Sequence, residues 1–282
     1  MQFGLTFFPT AEAIHPARLA QAMEERGFES LWLAEHSHIP VSPATPGPPA
    51  PGEPGLPREY YAVADPFVAL SLAAAVTTRL KLATGICLVP QRDVFQTAKQ
   101  VASLDVFSGG RFLFGVGAGW NAPEVEDHGT PFAQRFEVLR ERILAMKRLW
   151  TEEKAEYHGA HVDFGPTYAW PKPAQQPHPP IHMGGAGLTA IRRAVACCNG
   201  WVPLYSEDEK APLALLPRLQ EALSAAGRDA DAFELSLYFC PPTAEVVEKC
   251  RAAGATRVLF PLPSAAENET LHTLDGYAKL IG

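Results

Sequence analysis

Cysteine is scarce in this 282-residue chain: Cys87, Cys197, Cys198, Cys240 and Cys250 are scattered, with no C-x-x-C pair and no zinc spacing. That argues against a disulfide framework and fits a reducing cytoplasm. Positive charge is also in the minority, with 24 Lys and Arg against 31 Asp and Glu and a formal charge of -7. A general nucleic-acid or anionic-membrane binder carries the opposite balance. Long hydrophobic runs are missing, and the longest nearly apolar stretch, Phe67 to Val76, is about half of a membrane span. No basic segment precedes an apolar one at the N-terminus, which opens into strand-like Gln2-Phe3-Gly4-Leu5-Thr6-Phe7-Phe8. No signal peptide is expected. A Gly-x-Ser-x-Gly nucleophile elbow is absent too.

What the chain does have is proline, 27 residues of it. Eight fall between Pro40 and Pro57 and six between Pro166 and Pro180. Proline lacks an N–H and fixes φ, so neither stretch is helix interior or central strand. Both read as long ordered loops, and loops of that length in compact domains are usually lids or binding loops.

Elsewhere short apolar runs alternate with amphipathic ones. Strands are expected at Phe3–Phe8, Ser30–Leu33, Leu80–Val89, Arg111–Val116, Ile181–Gly184, Gly200–Leu204, Glu234–Phe239 and Arg257–Pro261. Helices are expected at about 16–26, 66–78, 94–107, 133–150, 187–198, 207–226, 243–253 and 265–280. Eight strand-then-helix units predict an α/β fold, a (β/α)8 barrel spanning 1–282 as one domain. A proline-rich lid follows its second strand and an insertion precedes its fifth. The competing doubly wound sheet needs a glycine fingerprint in its first βα turn. Phe8-Pro9-Thr10-Ala11-Glu12 has none. The helix over 66–76 carries no charge on any face, which predicts either a subunit interface or burial beneath the proline-rich loop.

In such a barrel, chemistry sits at the C-terminal ends of the strands. Aromatics, glycines and amides dominate there. Met183–Gly187 is a glycine turn opening a helix, either a phosphate cradle or a tight turn that merely needs glycine. Gly115-x-Gly117-x-Gly119 has the wrong spacing for a dinucleotide fingerprint, but lets a flat cofactor approach, with Asn121 at its polar edge. His36-Ser37-His38 has a metal-hydrolase spacing, yet later strands bring no further ligands, so no metal is expected. Without metal, Glu35-His36 is either a polar pair in a pocket, with the imidazole exchanging a proton, or a structural histidine. Cys87 and Cys240 read as packing residues, and Glu124, Glu126, Asp127 and His128 as a solvated loop.

Taken in order, Ala83–Arg92, Ala98–Phe112, Gly115–Trp120, Pro171-Lys172-Pro173, Pro179-Pro180-Ile181, Met183-Gly184-Gly185 and Asn199-Gly200-Trp201 carry a likeness. The chain resembles the bacterial luciferase-like monooxygenase superfamily, and within it the coenzyme F420-dependent oxidoreductases. The resemblance runs from end to end and is most specific over 83–121. It implies a TIM barrel with a flavin or deazaflavin at its C-terminal mouth. It also implies a cis peptide at Gly85-Ile86 against the ring, and Glu35-His36 beside ring and substrate. Asn121 then bonds the ring edge, and Gly184, Gly185, Ala186 and Gly187 hold the phosphate. Phe7 and Trp201 complete the expected cofactor contacts.

FMN-using relatives carry an arginine roughly at Ala118, where this chain is uncharged. F420 has a phosphodiester with one charge fewer, which backbone N–H groups alone can hold. F420 is therefore expected, with FMN as the alternative. Arg58, Lys172 and Lys210 are the basic residues available to its acidic tail. The implied reaction is hydride transfer between F420 and an unidentified small molecule, with His36 moving the proton and Glu35 tuning it. The segment 40–57 is the expected lid, Tyr60 and Tyr61 line the substrate side, and a cytoplasmic homodimer is expected. An FMN-dependent monooxygenase, a non-catalytic flavin-binding protein and a metal-dependent hydrolase are the competing functions.

Overall fold

The computed structural model describes residues 1–41, 56–208 and 211–281. Eight parallel strand positions close on themselves. They are β1 (Gln2–Phe7), β2 (Ser30–Leu33), β3 (Lys81–Thr84) with its continuation β4 (Cys87–Leu88), and β5 (Phe112–Gly117). After a two-stranded hairpin of β6 (Ala155–His158) and β7 (Asp163–Thr167) come β8 (Ile181–Gly184), β9 (Gly200–Val202), β10 (Glu234–Leu237) and β11 (Arg257–Pro261). β1 pairs with both β2 and β11, and β5 pairs with both β3 and β8, so no barrel edge is left open. The expected barrel is thus present, and the insertion before its fifth strand contains the hairpin. Residues 42–55 of the expected lid lie outside the described residues.

Helices α1 (Pro16–Glu25), α2 (Arg58–Ala62), α3 (Pro66–Val76), α4 (Val94–Ser108), α5 (Ala122–Asp127), α6 (Arg135–Thr151), α7 (Gly187–Cys197), α8 (Leu216–Ala225), α9 (Ala244–Ala252) and α10 (Glu267–Ala278) follow the strands. Their starts follow local chemistry. Asp65 caps α3 through the Val68 N–H at 3.0 Å, and Asp93 caps α4 through the Gln96 N–H at 2.8 Å. Gly109, at φ 72°, ends α4 in a left-handed turn. The helix expected from 207 begins only at Leu216, after a tight 3-10 turn over Pro212–Leu215. Among the described residues, no helix is long and apolar enough to cross a membrane.

Strand alternation separates two cores. Phe3, Leu5 and Phe7 of β1, with Phe112, Phe114 and Val116 of β5, face the helices. Trp32, Ala83, Leu113, Val202, Tyr238 and Leu259 fill the barrel interior. The expected strand over 80–89 is broken after Thr84. There the Gly85–Ile86 peptide is cis, as the resemblance implied.

The N-terminal end of the barrel is plugged by charge. Arg257 donates to both Glu29 oxygens at 2.8 Å, to Glu234 at 2.9 Å and to Ser236 at 2.8 Å. A buried guanidinium is tolerated only when its donors are filled in this way. Burial opposes ionisation of Glu29, but the Arg257 bonds outweigh it and hold the carboxyl at about 2. His182 lies beside this layer, fully buried, with Nε2 3.4 Å from Glu234 and its ring edge-on to Trp32. Burial outweighs the attraction of Glu234 and lowers its pKa to about 4.

Between its ordinary 6.5 and about 4, the unfolded chain binds a proton at His182 that the folded chain refuses. Stability must therefore fall as pH drops through that window, and Glu29 extends the fall toward pH 2. NMR should show the His182 imidazole neutral down to about pH 4, while the urea midpoint decreases from pH 6.5 downward. An imidazole titrating at its ordinary value would contradict this account.

Candidate active site

The segment after β2 delivers Glu35 and His36 to the barrel mouth, and the structure gives them separate partners. Glu35 is buried; it accepts the Leu88 N–H at 2.6 Å and the Arg92 Nε at 2.6 Å. Arg92 also reaches Asp65 at 2.8 Å and Gln100 at 3.0 Å, over the face of Phe67. Glu35 therefore ties the end of β2 to β4 and the starts of α3 and α4. The expectation that it tunes His36 is corrected, because both its oxygens are engaged elsewhere.

Glu124 is the partner of His36. Its Oε2 lies 2.9 Å from His36 Nδ1, and its Oε1 accepts the Ser37 N–H at 3.1 Å. The expected solvated loop is corrected here as well. Pro123 and Glu124 lie in the first turn of α5, and Glu124 is fully buried, while Glu126, Asp127 and His128 are exposed. An ionised carboxylate only accepts, so the network assigns the ring hydrogen to Nδ1. That leaves Nε2 as an acceptor without a protein partner among the described residues. The imidazole is flanked by Tyr60 and Trp120, with ring centroids 5.6 and 5.7 Å away.

His38 faces elsewhere. Its Nε2 meets Asp127 at 3.0 Å and its Nδ1 meets Ser37 Oγ at 2.9 Å, and that hydroxyl also meets His128. The H-x-H pair thus diverges to two different carboxylates. Among the described residues, no group of three His, Cys, Asp or Glu side chains is placed to hold a metal ion.

The remaining site residues divide by strand face. Gly85 and Ile86 are at the mouth, where Tyr238 donates its hydroxyl to the Gly85 carbonyl. The Ile86 side chain crosses above β5 and β8, and a Cβ at Gly117 or Gly184 would strike its tip. Gly184, Gly185, Ala186 and Gly187 run into α7, whose first turn has no side-chain cap. Its N–H groups and dipole are therefore open to an anion. Asn121 is 2% exposed, and its Oδ1 has no hydrogen-bond partner. An orphaned buried acceptor costs about 1–3 kcal/mol, so it marks a place for a donor from a bound molecule. Phe7 and Trp201, expected at the cofactor, are corrected. Phe7 lies in the layer between strands and helices, and Trp201 stands behind the glycine turn, donating from Nε1 to the Gly185 carbonyl at 2.8 Å. Of the basic residues offered to a cofactor tail, Arg58 pairs with Glu12, Lys172 holds the Leu149 and Glu152 carbonyls, and Lys210 lies outside the described residues.

A family model described as Luciferase-like monooxygenase matches residues 8–277. The chain belongs to the luciferase-like monooxygenase family. An uncharacterised protein of Mycobacterium tuberculosis is 39% identical to this luciferase-like chain over 271 residues, covering 95% of it and 94% of the relative. The F420-dependent glucose-6-phosphate dehydrogenase of Kineococcus radiotolerans is 27% identical, over 94% of this chain and 75% of that one. The solved structure of the monooxygenase RslO1 from Streptomyces bottropensis superposes with a TM-score of 0.81 at 22% identity, covering 100% and 98% of the two chains. Other luciferase-like proteins similar to this one include FMN-dependent enzymes, so the family spans F420 and FMN chemistry.

Arg92 and Glu124 were the residues that pattern reading missed. Pro123 and Glu124 after Asn121 are a helix-start signal that could have found Glu124, whereas nothing local marks Arg92. Arg92→Ala should leave the buried Glu35 carboxylate unpaired and cost about 3–5 kcal/mol, read as a lowered urea midpoint. A loss under about 1 kcal/mol would show that solvent reaches Glu35 and replaces the guanidinium.

Proposed function

We propose that this protein is an F420-dependent oxidoreductase, exchanging a hydride between the deazaflavin and a small organic substrate. The observation that carries the reading is the pairing of an orphaned acceptor, Asn121 Oδ1, with an uncapped glycine turn at α7. A flat ring with a polar edge and a phosphate fits that pair. Position 118 is a buried alanine, so the phosphate falls to uncharged N–H donors, which suits a diester better than a monoester.

When bound, F420 supplies or accepts the hydride. The chain's own part is positional and acid–base. Gly117 and Gly184 leave room for Ile86, which supports one face of the ring, and Tyr238 fixes the adjacent Gly85 carbonyl. Glu124 holds His36 Nδ1, and Nε2 exchanges a proton with substrate. Tyr60 and Trp120 flank the imidazole and limit the directions from which a substrate reaches it.

Titrating the apoprotein with oxidised F420 and separately with FMN, by cofactor fluorescence, tests the reading. F420 should bind and FMN should bind far more weakly. His36→Ala should keep the cofactor affinity and lower turnover at least a hundredfold, within the range for a lost general acid or base. Tight binding of FMN alone would replace this reading with a flavin monooxygenase.

We also propose that the protein is a homodimer through α3. One side of α3 packs on α1 and α4, but Val68 (64% exposed), Leu72 and Val76 form an open stripe, continued by Phe107 of α4 (82% exposed). Residues at i, i+4 and i+8 line one helical face, and a twofold axis would bury the same stripe on both copies. Light scattering should give twice the 30.5 kDa chain mass, and the double variant Leu72→Asp, Phe107→Asp should give one. A wild-type monomer at micromolar concentration would overturn this assembly.

A further inference from the structure

The walls of the mouth carry a statement about the substrate, and it rests on the oxidoreductase reading. Four rings stand in contact along one side. Phe8 meets Tyr60 at 4.8 Å between centroids, Tyr60 meets His36 at 5.6 Å, and His36 meets Trp120 at 5.7 Å. They come from the ends of β1, β2 and β5 and from α2, so the wall spans separate elements. Its third ring is the imidazole assigned the proton. Across the barrel, Phe239 follows β10 with a left-handed φ of 58°, its ring 4.6 Å from Tyr238. A non-glycine residue rarely adopts that conformation, and such residues gather at functional sites.

Charge adds the second constraint. The described segments leaving the strand ends are 8–15, 34–41, 56–65, 89–93, 118–134, 185–186, 203–208, 211–215, 238–243 and 262–266. Together they hold ten Asp or Glu and only two Lys or Arg. The two are Arg58 and Arg92. Arg58 is paired with Glu12, and Arg92 with Glu35 and Asp65. Both are thus paired with carboxylates, and Arg135, at the start of α6, is turned to the Gly119 and Phe132 carbonyls. Of the acids around His36, Glu124 holds the imidazole and Glu35 and Asp65 hold Arg92, so none of these three is free to pair with a cationic substrate. The cofactor's phosphate is met apart from this wall, at the start of α7.

We propose that the substrate is an uncharged, ring-bearing alcohol or carbonyl compound, seated on the Phe8–Tyr60–His36–Trp120 wall with its oxygen at His36 Nε2. Aromatic faces supply binding without net charge, and the acidic mouth rejects carboxylates and phosphates. A sugar phosphate would need a second anion cradle.

Three probes with one ring and different charge test this: benzyl alcohol, benzoate and benzylamine. Each is titrated into the protein with and without F420, following tryptophan fluorescence and saturation-transfer NMR. Benzyl alcohol should saturate, with benzoate and benzylamine at least tenfold weaker. Tyr60→Ala should weaken benzyl alcohol about tenfold, and Tyr60→Phe should leave it within twofold. Should Tyr60→Ala fail to fold, Trp120→Leu gives the same readout. Equal or tighter binding of either charged probe, no binding of the alcohol, or indifference to both wall variants overturns the proposal. A protein that binds benzyl alcohol through this wall but no F420 refutes the cofactor reading alone. One that binds F420 and prefers benzoate refutes the substrate class alone.

Discussion

The inside of an eight-stranded barrel is narrow, and its shortage of space decides where everything else stands. Trp32, Tyr238, Ile86 and Arg257 are too large to face one another across it. Glycines take the opposing positions. A Cβ at Gly115 would strike the Thr84 carbonyl and come within 3.1 Å of Trp32, and one at Gly85 would lie 2.9 Å from Tyr238. At Gly200 it would lie 2.7 Å from His182. The same glycines therefore serve packing below and an opening above. Ile86 can overhang the mouth only because Gly117 and Gly184 yield to it.

That confinement also sorts the polar groups. At the N-terminal end, Arg257 and its carboxylates saturate one another and close the barrel. At the C-terminal end, two acids of similar burial have different work. Glu35 is consumed by Arg92 and a backbone N–H, and so fixes the frame. Glu124 is consumed by an imidazole and the next backbone N–H, and so fixes the ring of His36. Among the described residues, Asn121, one residue before α5, and Gln91, just after β4, each leave a buried polar atom at this end without a protein partner. At the mouth such atoms lie where a ligand can contribute, whereas the buried His182 ring beside the Arg257 layer is simply held neutral.

Much of this was legible in the sequence. The order of strands and helices follows from alternating short apolar and longer amphipathic runs. Ser30–Leu33, Ile181–Gly184 and Arg257–Pro261 end where the pattern ends. Phe7 and Trp201 show the limit. Parallel barrel strands are buried on both faces, so alternation gives no sign of which face looks into the mouth. Glu124 shows another. It stands in Glu-Val-Glu-Asp-His, a run whose composition describes a wet surface, and its partner is 88 residues away. A single inward-turned acid is invisible to composition. Arg92 shows a third, since nothing near it in the sequence reveals Glu35 as its partner.

The division between Glu35 and Glu124 bears on how one barrel can serve different chemistries. A family that spans F420 and FMN needs a ring seat that does not change and a mouth that does. In the proposed function the seat is built from backbone: the Gly85–Ile86 bend, the glycines of β5 and β8, and the N–H groups of α7. Backbone donors do not titrate and cannot be substituted away. The rings around His36, Phe8, Tyr60 and Trp120, come from three separate segments, each replaceable without disturbing the seat. The His36 imidazole, the proposed acid–base group, sits on the boundary, anchored from behind by a buried helix residue and flanked in front by replaceable rings. Glu124 therefore keeps the imidazole in register with the seat while the wall beside it is free to diverge.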